Sequence, residues 1–290
     1  MPDKIEFRIT REFGDIVGDT FLFIKQNFKP LLKAFIYLCG FFIIGAMIAG
    51  IIQQLSMKEM ITASHNRGEI LKQTNLIVKY GFTLLFGIGN YVAITVTVLS
   101  YIAIYIKNGN VPPTVEEVWA YFKFYFFRVL LSSVITGVFF IFCLMFCLIP
   151  GIYVFPATCL IFPVMIMENA SFDYSFGRSF KLLKDNWGAT SGALLIIWII
   201  TYATTSMISL PGILLSTTST FLPDSTEMNS VIVIVATIIQ YACQVFLIVP
   251  LVGISLCYFN LVERHENTGL LERIAKLGEV ETPLKSAEEY

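Results

Sequence analysis

Five intervals of the chain carry no charged residue: 34–57, 80–106, 129–167, 186–223 and 228–262. An α-helix rises about 1.5 Å per residue and the hydrocarbon core of a bilayer is about 30 Å thick, so roughly 20 apolar residues cross it once. Each interval holds at least one crossing. The interval 129–167 is too long for one and suits two short ones, with Pro150-Gly151 as the break, because proline removes a helical hydrogen bond and the pair is a strong turn signal. Six spans follow, at about 31–53, 80–106, 129–148, 152–167, 190–211 and 231–260. The fourth is the shortest and contains Pro156 and Pro163, so a kinked or re-entrant segment is its alternative.

Composition agrees, with 56% hydrophobic and only 14% charged residues and 26 Phe. Residues 1–30 are polar or amphipathic and do not read as a signal peptide. The long, unalternating apolar runs do not fit outer-membrane strands. The expected fold is an all-α polytopic membrane bundle of about six transmembrane helices, with amphipathic interfacial helices on its cytoplasmic face. One transmembrane domain covers 1–262, and 263–290 form a cytoplasmic tail.

Lysine and arginine set the orientation. With both termini in the cytoplasm, only Lys58, Arg67, Lys72 and Lys79 of the 20 basic residues fall outside, all in the 54–79 loop. The 211–230 loop, with Asp224 and Glu227 and no base, suits the outside. Lys79 fits if the last turn of the discordant loop is already helix. The expected location is a bacterial cytoplasmic, or inner, membrane.

A repeat organises the chain. "GDTFLFIKQNF" at 18–28 returns as "GRSFKLLKDNW" at 177–187, pairing Gly18 with Gly177, Thr20 with Ser179, Lys25 with Lys184, Asn27 with Asn186 and Phe28 with Trp187. A looser copy places Trp119, Lys123 and Phe126 opposite Phe21, Lys25 and Phe28. The chain thus divides into units of about 10–106, 112–167 and 171–262, each an amphipathic segment followed by two spans. Phe13, Ile16, Val17, Phe21, Ile24 and Phe28 recur at helical spacing, the pattern of a helix lying in the interface with aromatics buried and lysines snorkelling to phosphate. The segments 13–28, 114–127 and 171–186 are expected on one membrane face.

Little in the sequence points to chemistry. His65 and His265 are the only histidines and fall on opposite sides of the membrane. Cys39, Cys143, Cys147, Cys159, Cys243 and Cys257 lie within spans and read as packing residues, Cys143 and Cys147 sharing a helix face. No nucleotide loop or nucleophile elbow is present. No cofactor or metal is therefore expected, and a non-enzymatic protein is the primary reading. Candidate polar sites are Asn90 in "FGIGN", Gln240 and Gln244 one turn apart, and Glu168 at the end of the fourth span. The intramembrane amides are costly facing lipid and are expected to face the bundle interior. Glu168 can meet Arg178 or Lys181 in a partly dry hairpin, as a brace or as a headgroup or proton-linked site. Lys181, Lys184 and Asn186 complete that candidate group.

The residues Pro150-Gly151-Ile152-Tyr153, "PVMIMEN" from Pro163, Ser175, Arg178-Ser179 and "LLKDNWG" from Leu182 resemble the glycerophosphoryl diester phosphodiesterase membrane-domain family and its YciC-like and DUF975-like relatives. In that pattern a Pro-Gly-aromatic turn, a Glu at a span end and an Arg-Ser followed by Lys-x-Asn-aromatic form one unit. Tyr153, Glu168, Arg178, Ser179, Lys184, Asn186 and Trp187 stand in the corresponding places. The resemblance implies an integral membrane protein in envelope or lipid-linked processes. It implies no catalysis, because the family's phosphodiesterase activity resides in a separate soluble barrel.

Two roles follow as expectations. The first is a scaffold or accessory subunit whose interfacial helices organise lipid or a membrane-protein partner. The second is a small transporter or lipid-handling protein with a cavity lined by Asn90, Gln240 or Gln244 and edged by Glu168. The bases beside the aromatics suit anionic lipid and are too sparse for nucleic acid. The tail places Leu270, Ile274 and Leu277 on one side of a short helix that suits a membrane surface or a partner.

Overall fold

A computed structural model describes residues 4–63, 73–146, 148–221, 226–267, 269, 271 and 274. Its elements are all helical: α1 (Phe13–Ala63), α2 (Gln73–Lys107), α3 (Val115–Phe146), α4 (Leu148–Met167), α5 (Phe172–Leu183), α6 (Trp187–Phe221), α7 (Thr226–Ala242) and α8 (Ile248–Glu266), with one 3-10 turn, Cys243–Leu247, between the last two. Among the described residues six segments are long and apolar enough to cross a membrane: Phe13–Ser56, Val78–Lys107, Val115–Phe146, Pro150–Met167, Trp187–Leu210 and Ile234–Glu266. The chain is an all-α polytopic bundle and an integral membrane protein.

Side-chain bonds fix how the helices pair. Tyr101 donates to Asn27 (3.3 Å), Cys39 lies 3.3 Å from Thr97, and Lys79 donates to Ser56 (2.7 Å), so α1 and α2 run antiparallel over their lengths. Lys79 is inside α2. Between α2 and α3 the chain turns through Gly109 and Asn110, both at positive φ. Thr114 and Glu117 then bond reciprocally to each other's backbone N–H, a capping box that starts α3.

The α3–α4 turn falls nearer the N-terminus than Pro150-Gly151. Within the described residues α3 runs to Phe146 and α4 starts at Leu148, and Pro150 occupies the first turn of α4, where a missing N–H leaves no helical bond unmade. Gly151 has a packing role instead, since a Cβ there would collide with the Leu144 side chain across the hairpin. Ser132 meets Met165 and Phe140 meets Phe155 in an antiparallel register. Pro156 and Pro163 lie within a single helix, so the fourth span is a helix of 20 residues.

The three leading segments aligned from the sequence differ in structure. Residues 13–28 and 115–127 are the opening turns of the spanning helices α1 and α3, with no break before the span, whereas 172–183 form a separate helix. Ser171 caps α5, and the turn at 184–186 ends it before α6. Nothing comparable interrupts α1, where Pro30 is accommodated within the helix. Of the stripe Phe13, Ile16, Val17, Phe21, Ile24 and Phe28, Ile16 is buried, Val17 and Ile24 are half-buried against the core, and the three Phe rings are exposed, while Thr20, Phe23, Asn27 and Leu31 beside it are buried. In a bilayer the greasiest face suits lipid, and smaller or hydrogen-bonded residues pack between helices. Thr20 and Ser179, paired by the repeat, are both fully buried and both bond to the carbonyl four residues earlier (2.7 Å each).

Candidate functional site

The polar groups of the bundle concentrate at one end, where α2, α4 and α8 finish and α1, α3 and α5 begin. An N-terminal arm, residues 4–12, which bends at 7–9, covers that end. Its side chains alternate, with Ile5, Phe7 and Arg11 buried and Glu6, Arg8 and Thr10 exposed. Phe7 sits edge-on to Phe23, Tyr105 and Phe259, with ring centroids 5.1–6.3 Å away. Arg11 is only 3% exposed. Its guanidinium donates to Asp19 at 2.8 Å and to the carbonyls of Phe7, Ile9 and Glu6, which satisfies the buried charge. The Arg11 N–H donates to Asn260 (2.8 Å), and Arg264 donates to the Arg11 carbonyl (2.9 Å), joining the arm to α8.

Beside the arm lies the cluster around Glu168. Arg178 Nε is 3.3 Å from Glu168 Oε1, its Nη2 pairs with Glu266, and the Tyr258 hydroxyl donates to Glu168 Oε1 at 2.9 Å. The Glu168 and Arg178 side chains are 21% and 14% exposed, so the pair is largely dry. Burial alone lowers the Arg178 pKa, but its hydrogen bond to Glu266 and the Glu168 and Glu266 charges raise it overall. The Glu168 charge also raises the Tyr174 phenol above its ordinary value. These groups edge a cavity of about 420 Å³ together with Arg8. Of the two expected cations, the structure brings Arg178 to Glu168 and leaves Lys181 exposed. Lys184 is exposed as well, and Asn186 accepts from Arg264 (3.2 Å), away from Glu168. Tyr258 and Glu266 escape a linear reading because they lie some ninety positions downstream, although Tyr258, Val262 and Glu266 recur at helical spacing.

A second cavity, of about 600 Å³, shares Arg8 and Met167 with the first. Ala103, Ile106 and Lys107 of α2, Tyr121, Phe124 and Tyr125 of α3, Ile166 of α4 and Asn169 after it surround it. Tyr125 and Arg128 both donate to Asn169 Oδ1, at 3.0 and 3.3 Å, and hold this residue at positive φ just beyond α4. Among the described residues its lining holds two cations, Arg8 and Lys107, and no carboxylate.

The third cavity, of about 630 Å³, lies deeper among α2, α3, α4, α6 and α8 and is almost wholly apolar. Thr95, Ser133 and Thr158 line it, each hydroxyl bonded to a carbonyl of its own helix, and so do Thr136 and Trp198, whose Oγ1 and Nε1 are buried without a partner. The expected intramembrane amides are elsewhere. Asn90 is 4% exposed and donates to Gln244 (2.5 Å), a bond between α2 and the 3-10 turn, with its own Oδ1 buried and unpartnered. Gln240 is exposed and does not share that interior position.

Among the described residues no three His, Cys, Asp or Glu side chains gather as metal ligands. Cys39, Cys143, Cys159, Cys243 and Cys257 are free thiols. Cys147, His65 and most of the tail, including Leu270 and Leu277, lie outside the described residues. In comparisons with protein-family models, curated proteins and solved structures, the chain matches none.

Proposed function

We propose that the protein is a non-enzymatic, lipid-handling membrane protein that holds an anionic phospholipid headgroup at the basic end of its bundle. The observation that carries this reading is the 600 Å³ cavity edged by Arg8 and Lys107 and free of carboxylate among its described lining. A cation near an anionic membrane surface contributes about 1 kcal/mol of attraction, and two cations beside tyrosine hydroxyls and an asparagine amide suit a phosphodiester. Arg128, bonded to Asn169, adds positive potential beside the cavity. In this reading Glu168, Arg178 and Glu266 brace α4, α5 and α8 around the site.

The membrane is a bacterial cytoplasmic one and the basic end faces the cytoplasm. The distribution of Lys and Arg supports that orientation. Kinship with the phosphodiesterase membrane-domain family belongs to the same proposal, resting on the Tyr153 to Trp187 pattern. A scaffold or accessory-subunit role is the second reading. It is favoured by α3, the least buried of the six spans, whose outer face offers a partner helix a broad apolar surface.

The test is native mass spectrometry of the detergent-solubilised protein, titrated with phosphatidylglycerol or phosphatidylcholine. Wild type is expected to retain phosphatidylglycerol preferentially, and Lys107→Gln and Arg8→Gln to lose at least about fivefold of that preference. Glu168→Gln should keep it. Displacement by inorganic phosphate alone would reassign the cavity to a soluble phosphate ligand. Equal retention of the two lipids by wild type would overturn the reading.

A further inference from the structure

We infer that the deep apolar cavity is the acyl-chain half of the same lipid site, so that one phospholipid spans both chambers with its phosphate at Arg8 and Lys107. The inference rests on the headgroup reading and adds the chain-binding surface. Four observations lead to it.

The chamber is open to the bilayer. Leu84 and Gly87 of α2 and Val134 and Val138 of α3 line it and are also exposed on the outer surface of the bundle. Gly87 and Gly137 both line the chamber, and a Cβ on either would meet no atom within 4 Å. The two helices therefore present bare backbone at the opening, where a side chain would narrow it.

Its chemistry disfavours water as the resident. A stable buried water needs two to four polar partners. The hydroxyls of Thr95, Ser133 and Thr158 are spent on their own helices, and the two buried polar atoms of the lining that have no partner, Thr136 Oγ1 on α3 and Trp198 Nε1 on α6, are too few to hold a chamber of about 630 Å³ full of water. The volume of about 630 Å³ lies within the roughly 300–1,000 Å³ of ordinary ligand sites. In a bilayer, the material at such an opening is hydrocarbon.

The two chambers are also in register. From Tyr125 to Gly137 along α3 is about 18 Å, and from Met167 to Cys159 along α4 about 12 Å, close to the depth of one leaflet. A lipid with its phosphate in the first chamber thus brings its chain to the second.

A track joins them. Between the chambers the interior is closed by Val129, Ser132 and Met165, all buried, with Ser132 Oγ 3.9 Å from the Met165 sulfur. The chain consequently passes outside this layer. Phe124, Phe127, Leu131, Val134 and Val138 recur at three and four residue intervals and are all exposed. This stripe of α3 begins in the lining of the first chamber, at Phe124, and ends in that of the second, at Val134 and Val138.

The experiment compares dihexanoyl with dipalmitoyl phosphatidylglycerol by native mass spectrometry in one detergent, for wild type, Gly137→Leu and Gly87→Leu. Both substitutions fill open space, so both proteins should fold, checked by unfolding temperature. Wild type is expected to hold the long-chain lipid at least about tenfold more tightly. The filled variants should lose most of that gain while still preferring phosphatidylglycerol to phosphatidylcholine. An undiminished chain-length gain in both folded variants would overturn the inference. Wild type with a chain-length gain but no headgroup preference would support the chamber and sink the headgroup reading, so the two failures are distinguishable.

Discussion

The basic end and the middle of the bundle are packed by different rules. At the end, Arg11, Asp19, Asn260, Arg264 and Asn186 form one connected set of directional bonds, and Glu168, Arg178, Glu266 and Tyr258 form another. In the middle, hydroxyls mostly bond back to their own helices, the Asn90–Gln244 bond crosses between elements, and a 630 Å³ void is tolerated. The contrast has a physical cause. Between apolar helices in lipid there is no hydrophobic drive to close a gap, so lipid chains can occupy it at little cost, whereas charges at the boundary are stable only when mutually satisfied. The end therefore sets which helices meet, and the middle is free to hold a ligand.

Substitutions at the end should show the largest effects. Phe7→Ala removes a ring that touches Phe23, Tyr105 and Phe259 and should destabilise the protein by about 3–4 kcal/mol, read as a fall in unfolding midpoint in detergent. Arg11→Met should cost about 3 kcal/mol, because Asp19 and several carbonyls lose their buried partner. If either variant unfolds like wild type, the arm is not the clasp described here.

Glu168→Gln is milder, at about 1–2 kcal/mol, since Arg178 keeps Glu266 and the cluster is partly solvated. Its signature is local, with faster amide hydrogen exchange over 172–183 and little change in α1. By contrast, Gly137→Leu should leave stability within about 1 kcal/mol of wild type while changing lipid selection, the outcome that most sharply separates the middle from the end.

The smallest effect concerns titration. Because Glu168 raises the Tyr174 phenol, the neutral form is favoured in the folded protein. The contribution of this contact is complete below the ordinary tyrosine value and fades as pH rises through the elevated one. Difference absorbance against Tyr174→Phe should show phenolate forming late in wild type and earlier in Glu168→Gln. Identical titrations would mean that the two groups do not interact.

The six spans were legible because charge-free length is a one-dimensional signal, and the Glu168–Arg178 pair because a hairpin brings near neighbours together. The arm was legible in principle. Ile5, Phe7 and Arg11 are buried and Ile9 half-buried between exposed residues, a period of two, although the arm bends at 7–9 and an arginine on the inner side disguises it. Periodicity found the stripe of α1, with the Phe13, Phe21 and Phe28 rings on the outer surface of the bundle, but not that Thr20, Phe23 and Asn27 beside it would pack the interior. The continuity of α1 through Pro30 and the partnership of Glu168 with Tyr258 and Glu266 depend on tertiary contacts that leave no local trace. The apolar chamber is the least legible of all, because it is defined by what five helices fail to fill.

The most direct test of the account is photo-crosslinking with a phosphatidylglycerol that carries a diazirine at the end of one acyl chain, followed by peptide mapping. Labels should concentrate on the chamber-lining residues of α2, α3 and α4, at 84–99, 133–141 and 155–163, and fall sharply in Gly137→Leu. Labels confined to outward-facing residues such as Ile36, Tyr37 and Phe41 of α1, unchanged by that substitution, would contradict the account.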